Sequence, residues 1–242
     1  RLIEAGCRLA QEAAAPYDAF VFGDLGPVAH DGTVSPAELY CRQADVFLAQ
    51  GVTCFLAETL PSDEGVPELA RHLKERCPDS FLIVSFAVGA DGITREGLSG
   101  RELFQRTALL PEVDAVGFNC MSGPRHLLEF IRGLEVGETR LSVMPNAGYP
   151  AVLGRRTVYQ GQPDYFADQM MQIVQTGAAI VGGCCGTTPA HIAALSAALE
   201  RPWPRIRMTP ASAPAARPER SDENTLWNKL KAGKRVIAVE LD

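Results

Sequence analysis

The stretch Ala178-Ala179-Ile180-Val181-Gly182-Gly183-Cys184-Cys185-Gly186-Thr187-Thr188-Pro189 decides the fold. Its first four residues form an apolar run with the length and character of a strand buried on both faces. The glycines open that run into a loop carrying two thiols. Thr188 is then placed to cap a helix, and Pro189 takes the first helical position, where its missing N–H costs nothing. Strand, loop and helix in this order make the repeating unit of a parallel α/β domain.

Reading outward, the same unit recurs. Strand-like apolar runs lie at 19–23, 53–57, 81–87, 115–118, 141–144 and 178–181. Helical patterns lie at 36–50, 65–76, 100–110, 125–134, 165–175 and 189–199, and Ser35-Pro36 repeats the capping device. Six βα units fit either an open doubly wound sheet or most of an eight-stranded barrel. Polar or glycine-containing signals follow nearly every strand: Gly23-Asp24-Leu25-Gly26-Pro27, Glu58-Thr59, Asn119-Cys120, Pro145-Asn146-Ala147-Gly148 and Gly183-Cys184-Cys185. A ring of such loops on one carboxyl-end face favours the (β/α)8 TIM barrel.

The composition excludes several classes. A chain of 242 residues with 46% apolar residues can bury a sizeable core. Its net charge of −6, with both signs interspersed, offers no basic stripe for a nucleic acid. The apolar runs are strand-sized, so no membrane span is expected. Seven cysteines, an odd number at irregular spacing, do not form a secreted disulfide framework. Reduced thiols in the cytoplasm are the expectation. Neither a phosphate-binding Walker loop nor a G-x-S-x-G elbow occurs.

Cys120 also ends a strand-like run, and in a barrel one strand separates it from the strand that leads to Cys184 and Cys185. The gap is about 10 Å at a strand spacing of ~4.8 Å, which side chains from two loops can span. The vicinal pair can converge on one ion only where the backbone has left the sheet. Three thiolates on Zn²⁺ would leave a fourth position open, as in a catalytic site. Such a site suits a substrate thiol, bound as thiolate and still nucleophilic, and the matching reaction is alkyl transfer to sulfur. Other readings of the same residues stay open. The thiols can be small buried hydrophobes, a covalent nucleophile for hydrolysis or lyase chemistry in a metal-free barrel, or a redox switch on an inert scaffold. The four histidines lack ligand spacing to one another, so surface or capping roles are expected for His30, His72, His126 and His191.

The motifs Gly117-Phe118-Asn119-Cys120 with Ser122-Gly123-Pro124, then Pro145-Asn146-Ala147-Gly148-Tyr149-Pro150, then Gly182 to Pro189 with His191-Ile192, resemble the ordered signatures of the homocysteine S-methyltransferase family. The resemblance covers roughly residues 1–200. It implies zinc on Cys120, Cys184 and Cys185, and homocysteine as the substrate methylated to methionine. It also implies that Glu58, in Phe55-Leu56-Ala57-Glu58-Thr59, holds the homocysteine amino group. A carboxylate at a strand's carboxyl end beside a substrate ammonium is a charge-assisted pair, which agrees. Asn119 and Asn146 are candidate substrate-site groups that orient the ligands or the backbone. The methyl donor needs a good leaving group, such as a sulfonium, a quaternary ammonium or a corrinoid.

Both ends read as cut. Arg1 opens within a helix-like segment at 2–15, and the start of the barrel that family members carry does not precede it. Six of eight strands would leave two edges unpaired, so activity of this piece alone is not expected. The barrel is assigned to residues 1–201 and a Pro/Ala/Arg-rich linker to 202–220. Residues 221–242, with the run Lys234-Arg235-Val236-Ile237-Ala238-Val239-Glu240-Leu241-Asp242, resemble the opening of a methylenetetrahydrofolate reductase domain. That implies a bifunctional parent whose FAD and NAD(P)H belong to the second domain.

Overall fold

The computed structural model describes residues 1–201 apart from 18, 29–31, 149, 154–155 and 160, and only the backbone of 150–153 and 156–158. The linker and reductase-like assignments at 202–242 lie outside the described residues, as does His30.

After helix α1 (Leu2–Ala14), strands and helices alternate: β1 Phe22–Leu25, α2 Pro36–Ala49, β2 Cys54–Leu60, α3 Val66–Arg76, β3 Phe81–Phe86, α4 Gly100–Ala108, β4 Ala115–Asn119, α5 Pro124–Ile131 and β5 Arg140–Met144. A hairpin follows, β6 Pro150–Leu153 with β7 Arg156–Tyr159, then α6 Pro163–Gln175, β8 Ala178–Val181 and α7 Pro189–Leu199. Six strands form one sheet in the order β1-β2-β3-β4-β5-β8, every pair parallel. Strands in chain order, each returning through a helix, give six consecutive units of a (β/α)8 barrel. None of the helices among the described residues is long and apolar enough to cross a membrane.

Two sequence expectations need correction. β1 begins at Phe22, where pairing with Cys54 starts, and not at residue 19; Phe20 is left 83% exposed. The antiparallel β6–β7 pair was not expected. Its signal was present, two β-forming triplets (Ala151-Val152-Leu153 and Thr157-Val158-Tyr159) around a glycine, but it breaks the parallel rhythm of the chain.

The core explains why inward positions can be polar. Alternate residues of each strand (Phe55 and Ala57; Leu82, Val84 and Phe86; Val116 and Phe118; Leu141 and Val143) join one cluster with the helices. Phe118 stacks on Phe104 at 5.9 Å and meets Phe130 edge-on at 4.9 Å, so β4 is clamped just before Asn119-Cys120. The intervening residues face the barrel interior. There Gly117 lies so close to β5 that a Cβ would sit 1.8 Å from the carbonyl oxygen of Ser142. Gly117→Ala should therefore break the β4–β5 register and destabilise the fold by more than the ~1–3 kcal/mol usual for overpacking, a loss that urea unfolding followed by circular dichroism would measure.

Candidate metal centre

Three loops at the carboxyl ends of β4, β5 and β8 build the site, and backbone hydrogen bonds lace them together. Cys120 N–H donates to Met144 O at 3.2 Å, and Cys184 N–H donates to Pro145 O at 2.8 Å. Ala147 N–H donates back to Cys185 O at 2.9 Å, and Asn146 N–H to Ser122 O at 3.1 Å. The segment 144–147, from the last residue of β5 into its loop, thus bonds to both cysteine loops and fixes their separation. Cys120 and Met121 complete the placement in left-handed conformation, with φ of 57° and 51°. Two successive non-glycine residues in that region store backbone strain of order 1–3 kcal/mol each.

The result brings Cys120, Cys184 and Cys185 together. Their sulfurs lie within 4.8 Å of one another, with Cys120 and Cys185 at 3.6 Å. Three sulfurs bound tetrahedrally at ~2.3 Å stand about 3.8 Å apart, so the cluster fits a zinc-sized ion with little movement. The vicinal pair converges because the chain leaves the sheet after Val181, and Gly186, at φ 77°, completes the turn.

Asn119 connects this cluster to β2. Its Oδ1 accepts the Thr59 N–H at 2.9 Å, which fixes the amide's orientation. The NH2 then faces Glu58 Oε2 and Thr59 Oγ1, both at 2.9 Å, and Cys184 Sγ at 3.8 Å. Thr59 is held at φ 57°, a strained value for a β-branched residue, inside a β-bulge where Glu58 and Thr59 together oppose Ser85. The bulge and the Asn119 amide together aim the Glu58 carboxylate. Asn146 is 3% exposed, donates to Cys120, and keeps its Oδ1 as a buried acceptor without a partner. Thiolates with a spare hard oxygen beside them are a donor set that suits zinc.

Electrostatics follow from this packing. The hydrogen bond from Cys184 lowers the Cys120 thiol to about 5 against the effect of burial, and Met121 N–H, Cys185 and Asn146 reinforce it. Cys184, which gives up that hydrogen bond and stands near the other sulfurs, moves upward. Burial pushes Glu58 up, and the charges of Asp24 and Cys120 add to it.

Every sequence-predicted site residue lies in or beside this cluster. His191 does not; it is 5% exposed, its Nδ1 pairs with Thr188 at the start of α7, and its Nε2 meets Gly161 O at 3.2 Å. It therefore caps the helix, as expected, but from a buried position. His72 pairs with Asp45 at 2.9 Å on the surface. The sequence reading missed Thr59, whose strain no motif announces, and Tyr159, whose ring lies against Gly186 and whose hydroxyl reaches Cys185.

Three convergent thiols at the carboxyl end of a barrel, beside an aimed carboxylate, have the donor set of a thiolate metal site. The profile of the homocysteine S-methyltransferase family matches residues 1–199, and the chain belongs to that family. It is 31% identical over 216 residues to a methionine synthase of Mycobacterium leprae, covering 80% of this chain and 17% of that protein. It is 29% identical over 208 residues to homocysteine S-methyltransferase of Escherichia coli, covering 80% of this chain and 64% of that enzyme. The chain thus spans under a fifth of one relative and under two thirds of the other. Crystal structures of the Escherichia coli homocysteine methyltransferase MmuM superpose with TM-scores of 0.61 for the apo form and 0.60 for the metallated form, at 28% and 27% identity. Each alignment covers 81% of this chain, with 73% and 69% of the respective crystal chains.

Two outcomes check the site. In metal-free protein at about pH 6, iodoacetamide should label Cys120 ahead of Cys184, because only the thiolate reacts; Asn146→Ala should slow that labelling, as read by peptide mass spectrometry. Glu58 ionises less readily folded than unfolded, so the stability it gives at low pH is lost as pH rises through its folded value. Glu58→Gln should accordingly raise the melting temperature of the metal-free protein near neutral pH, and the gain should vanish below the ordinary carboxylate range.

Proposed function

We propose that the protein transfers a methyl group to the thiol of homocysteine, giving methionine, at a zinc ion held by Cys120, Cys184 and Cys185. The observation that carries this reading is the three-sulfur cluster within 4.8 Å at the carboxyl end of the barrel, and family membership adds the substrate. Zinc bound there would lower the pKa of an incoming thiol so that it is present as thiolate at neutral pH.

The chain's own residues supply the rest. Glu58 anchors the substrate ammonium by a charge-assisted hydrogen bond. Asn119 ties that anchor to Cys184, so the amino-acid end and the sulfur end of the substrate are held in one frame. The hydrogen bond from Cys184 lowers the Cys120 thiol, with Asn146 adding a smaller contribution, and so favours the thiolate form a metal ligand needs. In the transfer itself the homocysteine sulfur attacks the donor's methyl carbon in line. The new S–C bond forms as the bond to the donor breaks, the donor leaves with its electron pair, and the thiol proton passes to solvent. A sulfonium, a quaternary ammonium or a corrinoid meets the leaving-group requirement.

The alternative of a lone cysteine nucleophile has some support from the lowered Cys120 thiol. It leaves the convergence of two further sulfurs without a purpose, and His72 and His191 are both engaged elsewhere. The seven free cysteines accord with a reducing compartment such as the cytoplasm. For residues 221–242 the proposal extends to a reductase domain using FAD and NAD(P)H; its support is the resemblance of that segment alone.

The test is metal analysis of the full-length protein with and without Cys185→Ala, alongside methionine formation from homocysteine and a panel of methyl donors. The expected result is about one zinc per chain in the wild type, a large loss in the variant, and methionine from at least one donor. Wild-type protein purified without zinc, and not activated by it, would end this reading.

A further inference from the structure

The β6–β7 hairpin has no counterpart in the βα repeat, and its last residue stands over the thiol loop. Tyr159, paired in register with Pro150, is half-buried. A Cβ at Gly186 would lie 2.3 Å from Cγ of the Tyr159 ring and 2.4 Å from its Cβ, so the ring is seated on the backbone just after Cys185. Its hydroxyl stands beside Cys185 Sγ.

Two further contacts hold Tyr159 there. Gly161 packs so tightly on the loop after β5 that a Cβ would lie 2.3 Å from Ala147 O, and Ala147 N–H in turn donates to Cys185 O at 2.9 Å. The Gly161 carbonyl meets His191 Nε2 at 3.2 Å. His191 Nδ1 accepts the Thr188 N–H at 3.2 Å, so Nε2 carries the proton that Gly161 O accepts. The His191 ring is buried and meets Phe166 edge-on at 5.5 Å, which fixes the brace by packing.

Three thiolates around an open position create a chemical conflict. A substrate thiolate able to attack a donor's methyl carbon there has three neighbours of the same chemistry. Cys185 is the exposed one, whereas Cys120 and Cys184 are half-buried. Those two have hydrogen-bond donors of their own: Asn119 Nδ2 lies 3.8 Å from Cys184 Sγ, and the Met121 N–H and Asn146 bond to Cys120. A hydrogen bond to a thiolate stabilises the anion, and a less basic sulfur is a weaker nucleophile. We propose that Tyr159, braced by His191 through Gly161, caps Cys185 with its ring and donates a hydrogen bond to that sulfur, so that an incoming methyl group goes to the substrate thiolate and not to the protein. The inference rests on the reading of the site as a zinc thiolate centre. It makes Tyr159 a selectivity-determining residue and His191 a positioning residue.

Methyl iodide, which needs no binding site, tests this on the zinc-loaded full-length protein without homocysteine or a natural donor. The cysteine sulfur attacks the methyl carbon, the S–C bond forms, and iodide leaves with the C–I electron pair; peptide mass spectrometry reads the rate at each cysteine. Tyr159→Phe keeps the ring and removes the hydroxyl. A hydrogen bond to a charged group changes thiolate basicity about tenfold to a hundredfold, and nucleophilicity follows at roughly half of that on a logarithmic scale. Cys185 should therefore methylate about threefold to tenfold faster, while Cys120 and Cys184 change less than about twofold. Tyr159→Leu, which also uncovers the loop, should raise the Cys185 rate at least as much. An unchanged Cys185 rate in Tyr159→Phe overturns the proposal, as does an equal rise at all three cysteines. A wild type that holds no zinc ends the proposed transferase, and the same comparison on metal-free protein at about pH 9.5, where an ordinary thiol is ionised, then decides the cap alone. Faster methylation of Cys185 in Tyr159→Phe supports it there, and an equal rate overturns it.

Discussion

The site depends on four residues at the end of β5 and just beyond it. Residues 144–147 accept hydrogen bonds from the backbones of Cys120 and Cys184, and donate to those of Ser122 and Cys185. One extended segment therefore sets the distance between two cysteine loops that the sequence places 64 residues apart. Net hydrogen bonds of about 0.5–1.5 kcal/mol each are modest singly. Four of them acting across one short segment hold sulfurs that would otherwise repel on ionisation. Gly117 permits this arrangement, because β4 and β5 approach too closely there for any side chain.

Strain and charge gather on the same few residues. Thr59, Cys120 and Met121 are the non-glycine residues at positive φ among those described, and all three border the thiol cluster. The packing beneath them compensates: Phe118 lies between Phe104 and Phe130, and the Asn119 amide bonds the N–H and the hydroxyl of Thr59. Burial pushes the Glu58 carboxyl up, and the hydrogen bond from Cys184 lowers the Cys120 thiol. Three sulfurs gathered this closely carry mutual repulsion on ionisation that a cation shared among them would relieve.

Much of this was legible because it is local. The passage from Ala178 to Pro189 encodes strand, loop and helix start in one window, and Ser35 caps α2 as its motif foretold, accepting the Glu38 N–H at 3.2 Å. The strand-then-glycine contexts of Cys120 and Cys184 placed both at one end of the barrel. What the sequence concealed is non-local. Gly23 packs against the ring of Phe47, a contact across 24 residues. The bulge at Glu58–Thr59 exists only in the pairing of β2 with β3. The β6–β7 hairpin was overlooked because an antiparallel pair interrupts a parallel period, although it delivers Tyr159 to the thiol loop.

The central claim is that three sulfurs of this chain share one ion and leave room for a fourth. X-ray absorption at the zinc edge of the loaded protein measures this directly. The account predicts three sulfur scatterers at about 2.3 Å in the resting protein and four once homocysteine is added. A shell dominated by nitrogen and oxygen, or a sulfur count unchanged by homocysteine, would contradict it.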